Sequence, residues 1–155
     1  MIKVLLGSEF LAEVVKQIKE AEESVWVVMF EWSWYPGQRT GTVQDLNREL
    51  CIRAKNKLDV KVLLHNESIG RALHRINRQT AQHLRQNKVE VKWGNTGVAL
   101  HAKVWIFDRE WVVVGSHNIS VRSTRTNEEV SVVFDDVSEV KRMVEWFEGL
   151  WAKGL

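Results

Sequence analysis

The chain has 155 residues, of which 45% are apolar and 27% charged, and its net charge is +2. These values fit one soluble globular domain over residues 1–155. They exclude general polyanion attraction, so affinity for nucleic acid must come from local patches. Cys51 is the sole cysteine, which excludes an intrachain disulfide.

Short apolar runs alternate with amphipathic segments along the chain. IKVLL reads as a strand, and Ser8 is placed to cap a helix through about Glu22 with Phe10, Leu11, Val14, Val15 and Ile18 on one face. SVWVVMFEW is a long strand, followed by the irregular segment SWYPGQRTGT, which holds the only proline. Thr42 is placed to cap a helix to about Asn56, in which Cys51 reads as a small core residue. VKVLLH is a strand, Ser68 can cap a helix to about Gln86, and VEVKW is another strand. Gly94 and Gly97 mark a loop before AKVWIF and WVVVGS, two strands around a polar turn at Arg109 and Glu110. EEVSVVF is the final strand, and Asp136 with Glu139 makes a capping-box-like start for the last helix. The expected architecture is α/β: a central mixed, largely parallel β-sheet flanked by helices on both faces.

Chemistry concentrates in the run LHAKVWIFDREWVVVGSHN, with His101, Lys103, Asp108, Gly115, Ser116 and Asn118 spaced as H-x-K-x4-D-x6-G-S-x-N. Period two puts His101 and Lys103 on one strand face. A hairpin centred on the polar turn sets Lys103 opposite Ser116 and His101 opposite Asn118. This gathers an imidazole, an ammonium, a hydroxyl and a carboxamide. An imidazole is a good nucleophile near neutral pH, while ammonium and amide groups suit anionic phosphate oxygens. A carboxylate is needed to hold the imidazole's tautomer, and both Asp108 and Glu129 are candidates.

This spacing resembles the signature of the phospholipase D superfamily, and the order of elements resembles its fold over nearly the full length. Members cleave phosphodiester bonds through a phosphohistidine intermediate, without metal or other cofactor. Length and a single motif look most like the small one-domain, homodimeric bacterial endonucleases of that superfamily. The resemblance implies an active site on a two-fold axis, because two motif copies are needed. It assigns His101 as nucleophile and His101 of the partner subunit as general acid. It gives phosphate contact to Lys103, Ser116 and Asn118. Asn127-Glu128-Glu129 resembles the family's N-x-E element, which makes Glu129 the carboxylate beside the nucleophile; Asp108 would orient or neutralise the site. His65 stands where many relatives carry an acidic residue; it either caps the strand end or touches substrate.

The helix from Ile69 to Gln86 carries an inward stripe of Ile69, Leu73, Ile76, Thr80 and Leu84. Arg71, Arg75, Arg78 and Arg85 fall on the other side, and no acidic residue occurs between Glu67 and Glu90. Such a ridge suits a phosphate backbone, although most charged faces are simply solvated. Arg122 and Arg125 follow the motif and flank its entrance. Trp34 and Tyr35 lie in the irregular segment at a strand's carboxyl end, where they either stack on unpaired bases or pack inward. Among the eight tryptophans, Trp26, Trp105 and Trp111 read as core. Trp146 and Trp151 give the last helix more apolar surface than one stripe needs, which suits packing on another subunit.

The expectation is a metal-independent phosphodiesterase acting as a homodimer on DNA or RNA. A phospholipid hydrolase acting on cardiolipin-type substrates and a nucleic-acid-binding module without turnover are the alternatives. No apolar run approaches the ~20 residues of a membrane span, and MIKVLLGSEF is too short and too soon acidic for a signal peptide. A cytoplasmic location without stable membrane insertion is therefore expected.

Overall fold

A computed structural model describes residues 1–38, 43–66, 71–95 and 97–155. The elements follow in the order β1 (Ile2–Leu6), α1 (Glu9–Glu20), β2 (Ser24–Met29), α2 (Val43–Lys55), β3 (Asp59–Leu64) and α3 (Ala72–Gln86). There follow β4 (Glu90–Trp93), β5 (Val104–Phe107), β6 (Trp111–Gly115), α4 (Val121–Arg125), β7 (Val130–Phe134) and α5 (Val137–Lys153). The strands form one mixed sheet in the order β1-β7-β6-β5-β2-β3-β4. The α/β architecture with a mixed sheet is the expected one, but the sheet is mostly antiparallel rather than largely parallel. Parallel pairing is confined to β2-β3 and β3-β4, while the pairs β2-β5, β5-β6, β6-β7 and β1-β7 are antiparallel.

The alternation of side chains along each strand feeds two cores. Val25, Val27 and Met29 of β2 join Phe10, Val14 and Ile18 of α1, Leu46 and Leu50 of α2, and Ala81 and Leu84 of α3. Trp26 and Val28 point the other way, to Val140 and Phe147 of α5. Helices thus cover both faces, as apolar sheets of this kind require. The surplus apolar surface of α5 is used by its own sheet. Phe147 stacks on Trp26 at 5.0 Å, Trp151 on Phe147 at 5.8 Å, and Lys92 lies over Trp151. Trp146 of the same helix stays partly exposed.

Capping is mixed. Asp136 caps α5 as expected, accepting from the Ser138 and Glu139 N–H groups. Ser8 precedes α1 but makes no capping bond; the Glu9 carboxylate accepts from Leu6 N–H instead. Thr42, Ser68 and Ile69 lie outside the described residues. In α3 the fully buried stripe is Asn77, Thr80, Ala81 and Leu84, with Leu73 and Ile76 half-buried.

The hairpin register differs by one residue from the expected one. Val104 pairs with Val114 and Phe107 with Trp111, so the turn has three residues, and Gly115 N–H donates to Lys103 O. Lys103 is level with Gly115, not Ser116. The cause is the turn itself. Asp108 and Arg109 both adopt positive φ, a region Asp tolerates better than most residues. The Asp108 carboxylate then accepts from the N–H groups of Glu22, Glu23 and Ser24 at 2.8–2.9 Å. A Cβ at Gly115 would meet the Ser131 Oγ, Val130 O and Ser131 Cα at 2.2–2.4 Å, so β6 can approach β7 there only as glycine.

Gly115→Ala is expected to destabilise the fold by about 3 kcal/mol or more through overpacking against backbone, read from urea denaturation. Asp108→Ala leaves three amides without their acceptor. It is expected to cost about 1–3 kcal/mol and to speed hydrogen exchange at Glu22, Glu23 and Ser24; unchanged exchange there would remove the anchoring role.

Candidate active site

One edge of the sheet collects most of the chemistry. The carboxyl ends of β1, β2, β3 and β6 lie there. Because β5 and β7 run antiparallel to their neighbours, their amino ends lie there too. Phe30 and Glu31 leave β2, His65 leaves β3, His101 and Lys103 precede β5, Ser116 to Asn118 leave β6, and Glu129 precedes β7. Trp32 extends β2 by a bridge to Ile119, which ties the β2 and β6 exits together.

His101 is exposed at this edge, and Lys103 is buried beneath it. The Lys103 Nζ lies 3.2 Å from His101 Nδ1 and 3.3 Å from Nε2, and donates to His101 O at 2.6 Å. Burial pushes the ammonium pKa down, against the opposing pull of Glu129 and Glu31. The Phe30 ring underlies the pair, with its centroid 4.6 Å from the His101 ring and 5.1 Å from Lys103 Nζ. His65 also lies against Phe30, 4.8 Å away, and its Nδ1 accepts from Leu100 N–H. His65 therefore holds the loop that leads into His101.

Glu129 organises the β6 and β7 side. Its carboxylate accepts from Ser116 Oγ, from Ser123 Oγ at 2.9 Å and from Asn127 Nδ2 at 3.2 Å. Burial by itself raises its pKa, but the hydrogen bonds of Ser116, Asn127 and Ser123 and the charge of His117 hold it below the usual carboxylate range. Ser123 Oγ also accepts from Asn118 N–H, while Asn118 Oδ1 accepts from Glu31 N–H at 3.2 Å. The Asn118 carboxamide is thereby oriented through its oxygen.

His117 occupies the variable position of the motif and was not legible as a site residue. It is fully buried, stacked on Phe10 at 4.3 Å; Nε2–H donates to Gly7 O at 2.9 Å and Nδ1 accepts from Ser131 at 2.7 Å. Its ring pins the turn whose flanking residues are Ser116 and Asn118. Phe30, Glu31, Asn77 and Ser123 were also missed. Asn77 alone left a signal, a carboxamide within the apolar stripe of α3; its Oδ1 accepts from Trp32 N–H and its Nδ2 donates to Phe30 O and His65 O.

Other expected site residues lie elsewhere. Asp108 sits at the opposite edge of the sheet, past the far end of β5, where it binds backbone amides; it is not with His101. Tyr35 is half-buried, and its hydroxyl accepts from Val121 N–H, which commits it to packing. Trp34 is half-buried and stacked on His83 at 4.4 Å. Arg122 is exposed beside Glu31, Trp34 and Tyr35 in a shallow pocket of about 320 Å³, and Arg125 is exposed at the end of α4. Arg71, Arg75, Arg78 and Arg85 line a separate groove on α3. Among the described residues no group of three or more His, Cys, Asp or Glu is placed to hold a metal ion. No helix there is long and apolar enough to cross a membrane.

The native pKa of His117 lies below the ordinary histidine value of 6.5 because burial disfavours its charged form, outweighing the Gly7 bond and Glu129, which raise it. The unfolded chain then binds the proton better. The stability held above pH 6.5 is lost progressively as pH falls through the lowered native value. His117→Gln is expected to lessen the fall in Tm between pH 7 and pH 5; an unaltered fall assigns it to other groups such as His83, whose pKa is also lowered by burial.

The family model described as "Cardiolipin synthase, PLD-like domain" matches residues 14–151. A phospholipase D of Rickettsia typhi is 25% identical over 136 residues, which are 86% of this chain and 59% of that protein. The chain thus spans less than two thirds of that relative. Nuc from Salmonella typhimurium, a phospholipase D family member, shares the fold with a TM-score of 0.80 at 18% identity, covering 100% of this chain and 97% of that one. NucT from Helicobacter pylori does so with a TM-score of 0.80 at 16% identity, covering 100% and 98%. With a model match over nearly its whole length, on the fold that Nuc and NucT share, this chain belongs to the phospholipase D-like domain family.

Proposed function

We propose that the chain is a metal-independent phosphodiesterase that cleaves DNA or RNA as a homodimer. One observation carries the reading: an exposed imidazole with a buried ammonium held against its ring nitrogens. In the reaction, a nitrogen of His101 attacks phosphorus, a P–N bond forms and the P–O bond to the leaving group breaks. The leaving oxygen takes a proton from His101 of the partner subunit, now the general acid. Water, deprotonated by that same second imidazole, then attacks phosphorus and releases His101. Lys103 and the Asn118 amide hold the phosphoryl oxygens as charge develops. Ser116 completes this set through its bond to Glu129, and Glu129 sets the field around the cluster. In this reading the second histidine comes from another copy of the chain. A two-fold axis at the exposed edge supplies it.

Nucleic acid is favoured over lipid by charge. Arg71, Arg75, Arg78 and Arg85 line one groove on α3 with no Asp or Glu among its lining residues, as a polyanionic substrate requires. One feature favours a phospholipid phosphodiester as the second reading: Ile2, Val4 and Leu6 on edge strand β1, with Val130 beside them, form an exposed apolar strip that reaches the catalytic edge. That is an entry surface of the kind a lipid substrate needs.

The test incubates the protein in EDTA with labelled single-stranded DNA, duplex DNA, RNA and cardiolipin-containing vesicles, beside His101→Ala. Cleavage of a nucleic acid is expected, with His101→Ala lower by roughly 10³-fold or more while dimer and binding persist. Turnover of vesicles alone moves the reading to a phospholipase. Full loss in EDTA restored by Mg²⁺ ends the metal-independent mechanism, and a monomer in sedimentation ends the shared site.

A further inference from the structure

The solvent side of α3 and the carboxyl end of β4 enclose an open groove of about 1020 Å³. Arg71, Arg75, Arg78 and Arg85 line it with His74 and Trp93, and no Asp or Glu is among its lining residues. Arg75 and Arg78 are exposed, and among the described residues no carboxylate pairs with either. Arg85 is fixed in place, donating to Val91 O at 2.7 Å with its guanidinium 5.9 Å from the Trp93 ring centroid. His74 also stacks on that ring at 6.3 Å; both its ring nitrogens are buried and have no hydrogen-bond partner. Arg75 and Arg78, without counter-ions among the described residues, and an orphaned imidazole in one concave surface describe a site built for an anion that is not part of this chain.

We propose that this groove binds the sugar–phosphate backbone of a nucleic-acid strand outside the scissile position, as a track leading to the His101 edge. The inference rests on the nuclease reading above and extends it to a second site. Arg75 and Arg78 are separated by about 4.5 Å of helix rise, a pair that can meet successive phosphates. The 15 residues of α3 span about 22 Å, or roughly six nucleotides at 3.4 Å per step. The track leads to the catalytic edge because α3 is fastened there: Asn77 binds Phe30 O and His65 O, and Phe30 underlies His101. His74 and the exposed amides of Gln79 and Gln82 supply hydrogen bonds to phosphate or sugar oxygens. An anionic membrane fits less well. Interfacial binding pairs basic residues with inserted apolar ones, and the exposed apolar strip lies on β1, the opposite edge strand of the sheet.

The test uses the full chain carrying His101→Ala, so that bound substrate persists, and measures fluorescence anisotropy with labelled single-stranded and duplex DNA of about 24 nucleotides across a salt series. Adding Arg75→Ala and Arg78→Ala is expected to weaken binding about 10-fold or more and to lower the slope of log K against log salt by about 1.4–1.8, as for two lost phosphate contacts. Whichever of the two DNA forms loses more identifies the strand state the groove takes. His74→Phe, which keeps the stack on Trp93 but removes the nitrogens, is expected to weaken binding with the salt slope kept. Lys19→Ala with Lys153→Ala removes the same charge elsewhere and is expected to leave the slope unchanged. An unaltered slope in the arginine variant, or an equal loss in the lysine variant, overturns the groove. So does loss of binding to cardiolipin-containing vesicles with DNA affinity intact. Cleavage assays with the unmodified chain separate the two readings. If DNA and RNA both stay uncut while the arginine effect stands, the nuclease reading falls and the groove remains.

Discussion

β5 enters the sheet antiparallel to β2, and the rest of the site depends on that reversal. Were β5 parallel like β3, the residues before it would lie at the opposite edge from Phe30 and His65. As built, Lys103 and His101 arrive beside the exits of β2 and β3, and β7 brings Glu129 to the exit of β6 by the same device. Ladder hydrogen bonds hold the strands, so the edge inherits their rigidity without separate supports. Gly115 completes the geometry, since any Cβ there would push β6 away from β7 and carry Ser116 and Asn118 with it.

Polar groups at this edge divide into those that are held and those that are presented. Asn77, His117, Ser123 and Glu129 are tied to each other or to backbone, and their bonds are spent inside the protein. His101 projects from this frame into solvent over the Phe30 ring. Lys103 is intermediate, buried yet turned to the ring nitrogens, which is where a cation must stand to meet a phosphoryl oxygen during attack on the phosphorus. A frame of this kind costs little reorganisation when charge develops.

The two edge strands have opposite characters. β1 presents Ile2, Val4 and Leu6 to solvent, while the β4 side carries Trp93 and faces the arginines of α3. The apolar edge suits association that excludes water, and the basic side suits a ligand that brings its own charge. Both flank the catalytic edge, so the arrangement orients whatever occupies it.

The motif His101–Lys103 … Ser116–Asn118 and the resemblance it carries were legible because spacing along a strand constrains which side chains converge. The strand and helix order was legible because periodicity encodes burial, and the cap at Asp136 because it is local. The hairpin register was not, because it rests on a three-residue turn with two positive-φ residues, stabilised by amides more than 80 residues away in sequence. For the same reason Asp108 looked like a member of the site and is an anchor at the far edge. His117 and Phe30 read as ordinary motif filler and strand because their roles exist only once β1, β7, β6, β5 and β2 lie side by side. Sequence alone determined which elements form and which residue types can carry the chemistry, since both follow from short-range pattern. Tertiary structure decided which of those residues meet, because that depends on strand direction and register, and these are set by contacts distant in the chain.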